Sequence, residues 1–339
     1  MEEFNAEING VALRAINHET HVSKYVDAAE LIAKNADLED KLTKIQQEVR
    51  HICTKDTLTK DQIELLQIHE RFNHVISIAD IQLLAAAGHF PKRLSTCTRP
   101  ACATCYYGKA RRKPWRSKGK NNKAILERMR KMPGEIAYTN IMTSSVPGLI
   151  PQMVGFLTSK KFHYTSFFVD DASDYTFVHH QESTSADDTI LAKRAYEAEL
   201  RKYGKEVRHY HADNGTYAVA QYKAEIEDKK QSLTFCGVGS HHQNGRAENR
   251  IKVICEPARS MLIHAMHRWP EVITQALWPY AVSLAVDIRN KSKLDANGLS
   301  ALDKLTTVKH NISVKDDHTF GCPVYILQAS LQDHKSILR

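Results

Sequence analysis

Glycine and proline are scarce, 14 and 10 in 339 residues, and neither an internal repeat nor a low-complexity tract breaks the chain. No apolar run approaches the roughly 20 residues that cross a bilayer, which excludes a membrane-spanning helix. The start, MEEFNAEING, lacks the basic and apolar regions of a secretory signal, so the expectation is a chain held in the reducing interior of a cell. Cysteine is limited to seven, an odd number at irregular spacings. That argues against a disulfide framework and makes any close Cys pair a metal or redox candidate. What remains, 42 % hydrophobic residues in a length sufficient for two domains, is the composition of a globular protein with a sizeable core.

Acid is almost missing from one segment. Between Lys109 and Lys131 eleven Lys and Arg face a single acid, Glu127. This local +10 exceeds the +8 of the whole chain and leaves the remainder at −2. A stripe of that kind is the footprint of a polyanion site, because each phosphate it neutralises releases condensed counterions. A solvated linker or a nuclear-localisation cluster has the same composition. Arg111, Arg112, Lys113 and Arg116 are its candidate DNA contacts.

Periodicity divides the rest. Leu31, Asn35, Leu38, Leu42, Ile45, Val49 and Ile52 form a heptad seam over 22–52, suited to a dimer or to an amphipathic helix on its own domain. IAYTNIM, YTSFFVD and YTFVHH read as an antiparallel meander, with DDAS as its second turn. A helix is expected from Ser185 to Gly204, then a strand at VRHYHADNG, a helix at YAVAQYKAEIEDKK, a strand at LTFCGVG, and helices over 245–290 broken around RWP. Three strands followed by alternating helices and strands make a mixed α/β sheet with helical cover.

HERFNH places His69 and His74 five apart, and CATC places Cys102 and Cys105 at a tight turn. Two imidazoles and two thiolates suit a structural, tetrahedral zinc site that staples a segment of fewer than about fifty residues. Cys97 is a substitute ligand, and a redox pair is the rival reading, although no thioredoxin-like strand precedes it. The order His-x4-His, a gap of 27 residues, Cys-x2-Cys and then YGKARRKPWR resembles the zinc-binding pre-integrase region of copia-type (Pseudoviridae) retrotransposon polyproteins. Asn73 stands where that family usually has glycine.

HADNGTY puts Asp213 at the end of a strand, and HHQNGRAENRIK puts Glu248 in the first turn of a helix 35 positions later. Separately, each has an ordinary explanation: a turn for the first, an answer to the helix dipole for the second. Together, DNGTYAVAQYKAEI, GVGSHHQNGRAENRI, ARSMLIHAMHRWPEVITQALWPYAVSLA and HTFGCPVYIL are similar, in order and spacing, to the catalytic core and downstream region of copia-type integrases. The likeness covers roughly 60–339. It implies a ribonuclease-H-like fold and an Asp, Asp, Glu site holding Mg2+ or Mn2+, with Asp213 and Glu248 as the second and third members.

The first member of that trio falls on Asn140 once the chain is aligned on MTSSVPGLIPQMVGFLTSKKF. An amide offers one neutral oxygen where a carboxylate offers two charged ones. Asp170, Asp171 and Asp174 are the nearby acids, expected at the tip of the next hairpin. Pro257 falls inside the helix that carries Glu248, which predicts either a kink or a new helix starting there. Arg246, Arg250 and Lys252 are the expected phosphate contacts, with Gln243 and Asn244 in a mobile loop before the helix. His241 and His242 suit either DNA binding or loop surface, and Trp269 and Trp278 suit core or helix-end packing.

The expected organisation is a helical extension over 1–60, a His2Cys2 pre-integrase module over 61–108, a basic linker over 109–132, a ribonuclease-H-like core over 133–295 and a C-terminal extension over 296–339. The expected function is that of a retrotransposon integrase, joining DNA ends to a DNA target, impaired by Asn140. The alternative is a catalytically inactive DNA-binding or protein-interaction remnant of the same fold. Structural Zn2+, self-association and a nuclear and cytoplasmic location complete the expectation.

Overall fold

The computed structural model describes residues 58–110, 132–151, 158–236, 244–315 and 317–324. The chain divides into two units, Met1–Thr54 and Lys55–Arg339, and every described residue belongs to the second. The heptad segment 22–52 lies outside the described residues.

The meander forms as the alternation of β-branched and aromatic residues requires. Strand β1 (Ile136–Leu149) pairs antiparallel with β2 (Lys161–Asp170), which pairs antiparallel with β3 (Thr176–Gln181). Residues Thr165 to Asp170 of β2 are all buried, because both faces of the strand are covered. Phe168 stacks on Tyr196 at 4.8 Å on one face, while Phe167 packs with Ile254, Ala258 and Met261 on the other. Each such ring removed from water contributes about 1.5–3 kcal/mol. A break in register between Thr143 and Gly148 disturbs the far end of β1.

Beyond β3, Ser185 caps helix α4 (Ala186–Arg201) by accepting from Asp188 N, and Gly204 at φ +65° ends the turn that follows. Strand β4 (His209–Ala212) then enters beside β1 in parallel. Helix α5 (Ala220–Asp228) leads to β5 (Ser232–Phe235), parallel to β4. The order β3-β2-β1-β4-β5, with β2 alone running against the others, is the expected ribonuclease-H-like sheet. Helices α4 and α5 cover one face; α6 (Gly245–Arg268) and α7 (Trp278–Ser292) cover the other.

Helix α6 runs unbroken through Pro257, so no new helix starts there. The proline is buried within that helix. Trp278 is buried and donates from Nε1 to the Val146 carbonyl at 2.8 Å, whereas Trp269, at the end of α6, is exposed.

Ahead of the sheet, α1 (Lys60–Arg71), α2 (Ile78–Ala86) and α3 (Ala103–Gly108) form a small helical module. A reciprocal Thr59 and Gln62 capping box starts α1. Leu65, Ile68, Phe72, Ile81, Leu84 and Leu94 make its core, but Ile288 of α7, Ile312 and Val314 complete it. Helix α8 (Ala301–Thr306) in turn sends Ala301 and Leu305 into the core on the α4 side of the sheet. The segments 61–108, 133–295 and 296–339 therefore share hydrophobic cores.

Candidate active site and metal centre

The His2Cys2 cluster is assembled by a left-handed turn. His69 lies in the last turn of α1, and Asn73 (φ +49°) and His74 (φ +61°) then reverse the chain so that His74 returns beside it. Asparagine is the residue other than glycine that best tolerates this region. It also adds bonds that glycine lacks: Asn73 Nδ2 donates to the Arg71 and His318 carbonyls, and its Oδ1 accepts from Phe320 N at 2.6 Å. Cys102 and Cys105 bracket the start of α3.

The four ligand atoms lie within 4.8 Å of one another. His69 Nε2 is 3.1 Å from Cys105 Sγ and 3.2 Å from His74 Nδ1, which is 3.5 Å from Cys102 Sγ and 3.6 Å from Cys105 Sγ. A tetrahedron with Zn–N of about 2.05 Å and Zn–S of about 2.3 Å has edges of about 3.3–3.8 Å, so the donor set fits zinc. A hydrogen bond between the two sulfurs holds Cys102 well below the usual thiol range and pushes Cys105 up. Burial lowers His74, and burial together with the neighbouring His74 brings His264 down to about 4, so these rings are neutral at pH 7. Cys97 is outside this grouping.

The candidate site residues Asn140, Asp213 and Glu248 lie on or beside β1, β4 and α6. Ala137 pairs with Tyr210 and Tyr138 with His211, and the Tyr138 and His211 rings touch at 5.3 Å on a common face. Asn140 and Asp213 each lie two residues beyond that pair, Asn140 within β1 and Asp213 just past the end of β4. Asn244, fully buried at the start of α6, donates from Nδ2 to the Thr139 carbonyl at 2.9 Å. It anchors the helix to β1 one residue before Asn140, and is not part of a free loop. Glu248 follows one turn later and is exposed. Both Asp213 and Glu248 act on the Cys236 thiol, which burial first and these two charges second push upward. Positions 140, 213 and 248 lie on β1, just past the end of β4 and in the first turn of α6. Among the described residues, the His2Cys2 cluster is the one grouping of three or more His, Cys, Asp or Glu side chains with metal-binding spacing. Among the described residues Asp213 and Glu248 belong to no such grouping.

The acids of the β2–β3 turn are engaged elsewhere. Asp170 is buried and accepts from Gly134 N, Ser173 N and Ser173 Oγ. Asp171 pairs with Arg246, whose guanidinium also lies over the Tyr138 ring at 5.5 Å. Asp174 pairs with Arg250 at 2.5 Å and with Arg246 at 3.4 Å. Burial opposes ionisation of Asp174, but Arg250, Arg246 and Arg289 outweigh it and hold the carboxyl below its usual range. This corrects the expectation for two basic residues: Arg246 and Arg250 clamp α6 to the β2–β3 turn, with guanidinium groups consumed by internal acids. Lys252 is exposed one turn beyond Glu248. Arg111, Arg112, Lys113, Arg116, Gln243, His241 and His242 lie outside the described residues.

Three contributors had little or no signal in the sequence. Asn244 reads in the sequence only as a loop residue ahead of the helix. His264, whose Nδ1 meets His74 Nε2 at 2.8 Å, is one of 18 histidines with nothing local to mark it. Thr139 acts through its carbonyl.

No protein-family model matches the sequence, and no curated protein matches it. Among solved structures, the chain is similar to one in the simian T-cell lymphotropic virus intasome in complex with PP2A regulatory subunit B56 gamma. That similarity is 15 % identity over 51 % of this chain and 55 % of the other, with a TM-score of 0.40. It is also similar to the HTLV-2 integrase catalytic core domain in complex with magnesium, at 15 % identity over 53 % of this chain and 98 % of that one, with a TM-score of 0.37. The BIV integrase catalytic core domain is a third, at 14 % identity over 50 % and 92 %, with a TM-score of 0.33. The fold assignment stands on this chain's own strand order and directions: a ribonuclease-H-like sheet preceded by a His2Cys2 module. Among the described residues no helix is long and apolar enough to cross a membrane.

Proposed function

We propose that the chain is an integrase-type polynucleotidyl transferase of the copia retrotransposon kind, with DNA as substrate and a transfer site weakened at Asn140. The observation that supports this reading is the parallel β1–β4 register, in which Tyr138 faces His211 two residues before Asn140 and Asp213, together with the Asn244 tether from the start of α6 to the Thr139 carbonyl. In such sites two divalent cations, when bound, activate an attacking 3′-hydroxyl and stabilise the leaving oxygen of a phosphodiester. Asp213 and Glu248 are hard oxygen donors suited to one Mg2+ or Mn2+. The residues present do not complete a three-carboxylate pair site.

Asn140 is a poorer ligand than its neutral charge alone implies. Its Oδ1 already accepts from Ile141 N at 2.8 Å, and its other terminal atom is an NH2 donor. Aspartate in the same pose would keep the Ile141 hydrogen bond on one oxygen and offer the second, with its charge, to a cation. The chain's own residues still orient the elements: the Arg246 and Arg250 clamp fixes α6, and Lys252 presents a cation beside Glu248 for the DNA backbone. Arg111, Arg112, Lys113 and Arg116 add the stripe that tracks phosphates. Zinc in the His2Cys2 centre has a structural role, and the protein works as a homo-oligomer in the nucleus and cytoplasm.

A strand-transfer assay on the native chain and on Asn140→Asp, in Mg2+ and in Mn2+, tests the reading. Recovery in the aspartate form supports it; full activity with asparagine refutes the site assignment. Asn140 also favours a second reading, a DNA-binding remnant without catalysis. That reading predicts salt-dependent DNA affinity, lost on neutralising the basics of 109–123, with no transfer even in Asn140→Asp.

A further inference from the structure

We propose that His264 of α6 is the positioning residue for the zinc ligand His74, so that metal binding in the N-terminal module locks the helix whose other end carries Glu248. The inference rests on the zinc reading of the His2Cys2 centre.

Only one ring atom of each histidine is directed at the cluster. For His74 it is Nδ1, 3.2 Å from His69 Nε2 and 3.5 Å from Cys102 Sγ. With Nδ1 reserved for metal, the proton sits on Nε2 and is donated to His264 Nδ1 at 2.8 Å. His264 then carries its own proton on Nε2. The ligand His69 is fixed in the mirrored way, its Nδ1 donating to the Ile76 carbonyl at 2.8 Å. Each imidazole ligand therefore has one acceptor that fixes its tautomer and ring plane, as metal-bound histidines generally do. His69 takes that acceptor from its own module, whereas His74 takes it from α6, 190 residues away.

The surroundings make this approach deliberate in physical terms. His74 and His264 are both buried, with ring centroids 4.9 Å apart at 70°. Gly108 permits the close approach: a Cβ there would come within 2.3 Å of Ser260 Oγ and 2.8 Å of Ser260 N. Arg259 donates to the Gly108 carbonyl at 3.1 Å, and Arg268 pairs with Glu70 at 3.5 Å. Packing alone would be served by leucine at 264; a buried imidazole facing a ligand imidazole supplies a hydrogen-bond acceptor.

The test uses the full chain with zinc affinity from chelator competition, Co2+ absorption bands as a probe of ligand geometry, and amide exchange over 258–268. His264→Leu keeps bulk without an acceptor, while His264→Asn keeps an acceptor near the Nδ1 position. We expect the leucine variant to lose about 10–100-fold in zinc affinity and to shift the Co2+ bands, with the asparagine variant within about threefold of the native chain. Zinc should slow exchange over 258–268 in the native chain and no longer do so in His264→Leu. Native zinc affinity in the leucine variant overturns the proposal, as does an asparagine variant as weak as leucine. If His264→Leu fails to fold, His264→Asn decides: native-like affinity and spectrum support the proposal, and a tenfold loss overturns it. A native chain that takes up neither zinc nor cobalt overturns the zinc reading itself, a separate result.

Discussion

Under the proposed function the two ends of α6 serve opposite kinds of site. At the C-terminal end, four donors lie within 4.8 Å, the two imidazoles buried and the two thiols half-buried, with an outer acceptor for each imidazole. At the N-terminal end Glu248 is exposed; the proposed partners are Asp213, half-buried, and Asn140, an amide already bonded to Ile141 N. Closed donor sets stabilise structure, and open ones leave room for substrate. The difference also shows where change is tolerated. An altered ligand in a closed zinc site would remove folding energy, whereas Asn140, in the proposed open site, has the fold intact around it.

The largest effect that would sharpen this contrast is loss of the closed site. Replacing Cys102 and Cys105 with Ser, or chelating the metal, removes a contribution of about 10–16 kcal/mol in zinc-finger peptides. Amides of 60–86 should lose exchange protection while those of β2 keep theirs; equal protection with and without metal would break the comparison. Next, Asn140→Asp should raise the strand-transfer rate at least about 100-fold, or about 2.7 kcal/mol of barrier, with thermal stability unchanged. A smaller loss is expected from Gly108→Ala, where the added methyl meets Ser260, at about 1–3 kcal/mol by denaturant unfolding.

The smallest expected effect is that of Asp174→Asn, about 1–2 kcal/mol. A fully buried broken pair would cost about 3–5 kcal/mol, but this carboxylate is 35 % exposed and partly screened. Its sign with pH follows from the depressed pKa of Asp174. The native carboxylate stabilises fully above the unfolded pKa and loses that advantage as pH falls through the folded one. Native and variant stabilities should therefore differ at pH 7 and converge on acidification below about pH 4. A constant difference across that range would show that the clamp acts through shape and not charge.

Much of the scaffold was legible because it is written locally. YTSFFVD and YTFVHH carry strand-forming residues, Ser185 and Gly204 bracket a helix, and the spacing of apolar residues after Gly245 marks α6. Asp213 and Glu248 stood out through resemblance in order and spacing; neither alone differs from a turn residue or a helix-start acid. What escaped was non-local. Arg246 and Arg250 read as free cations because their partners, Asp171 and Asp174, are about 75 positions away. His264 meets its partner across 190 positions, and no periodicity reports such a contact. The shared core of the N-terminal module depends on Ile288, Ile312 and Val314, which local patterns assign to other segments.

Helix α6 is continuous from Gly245 to Arg268, and its sixteen residues between Glu248 and His264 span about 24 Å at 1.5 Å per residue. A rod of that length is a lever: a tilt of about 5° at the docked end displaces the other by about 2 Å. Reaction rates fall about 100-fold for a misplacement of about 1 Å, so the stiffness of this lever, and the proline it carries near mid-span, set how finely a carboxylate is aimed from a distance.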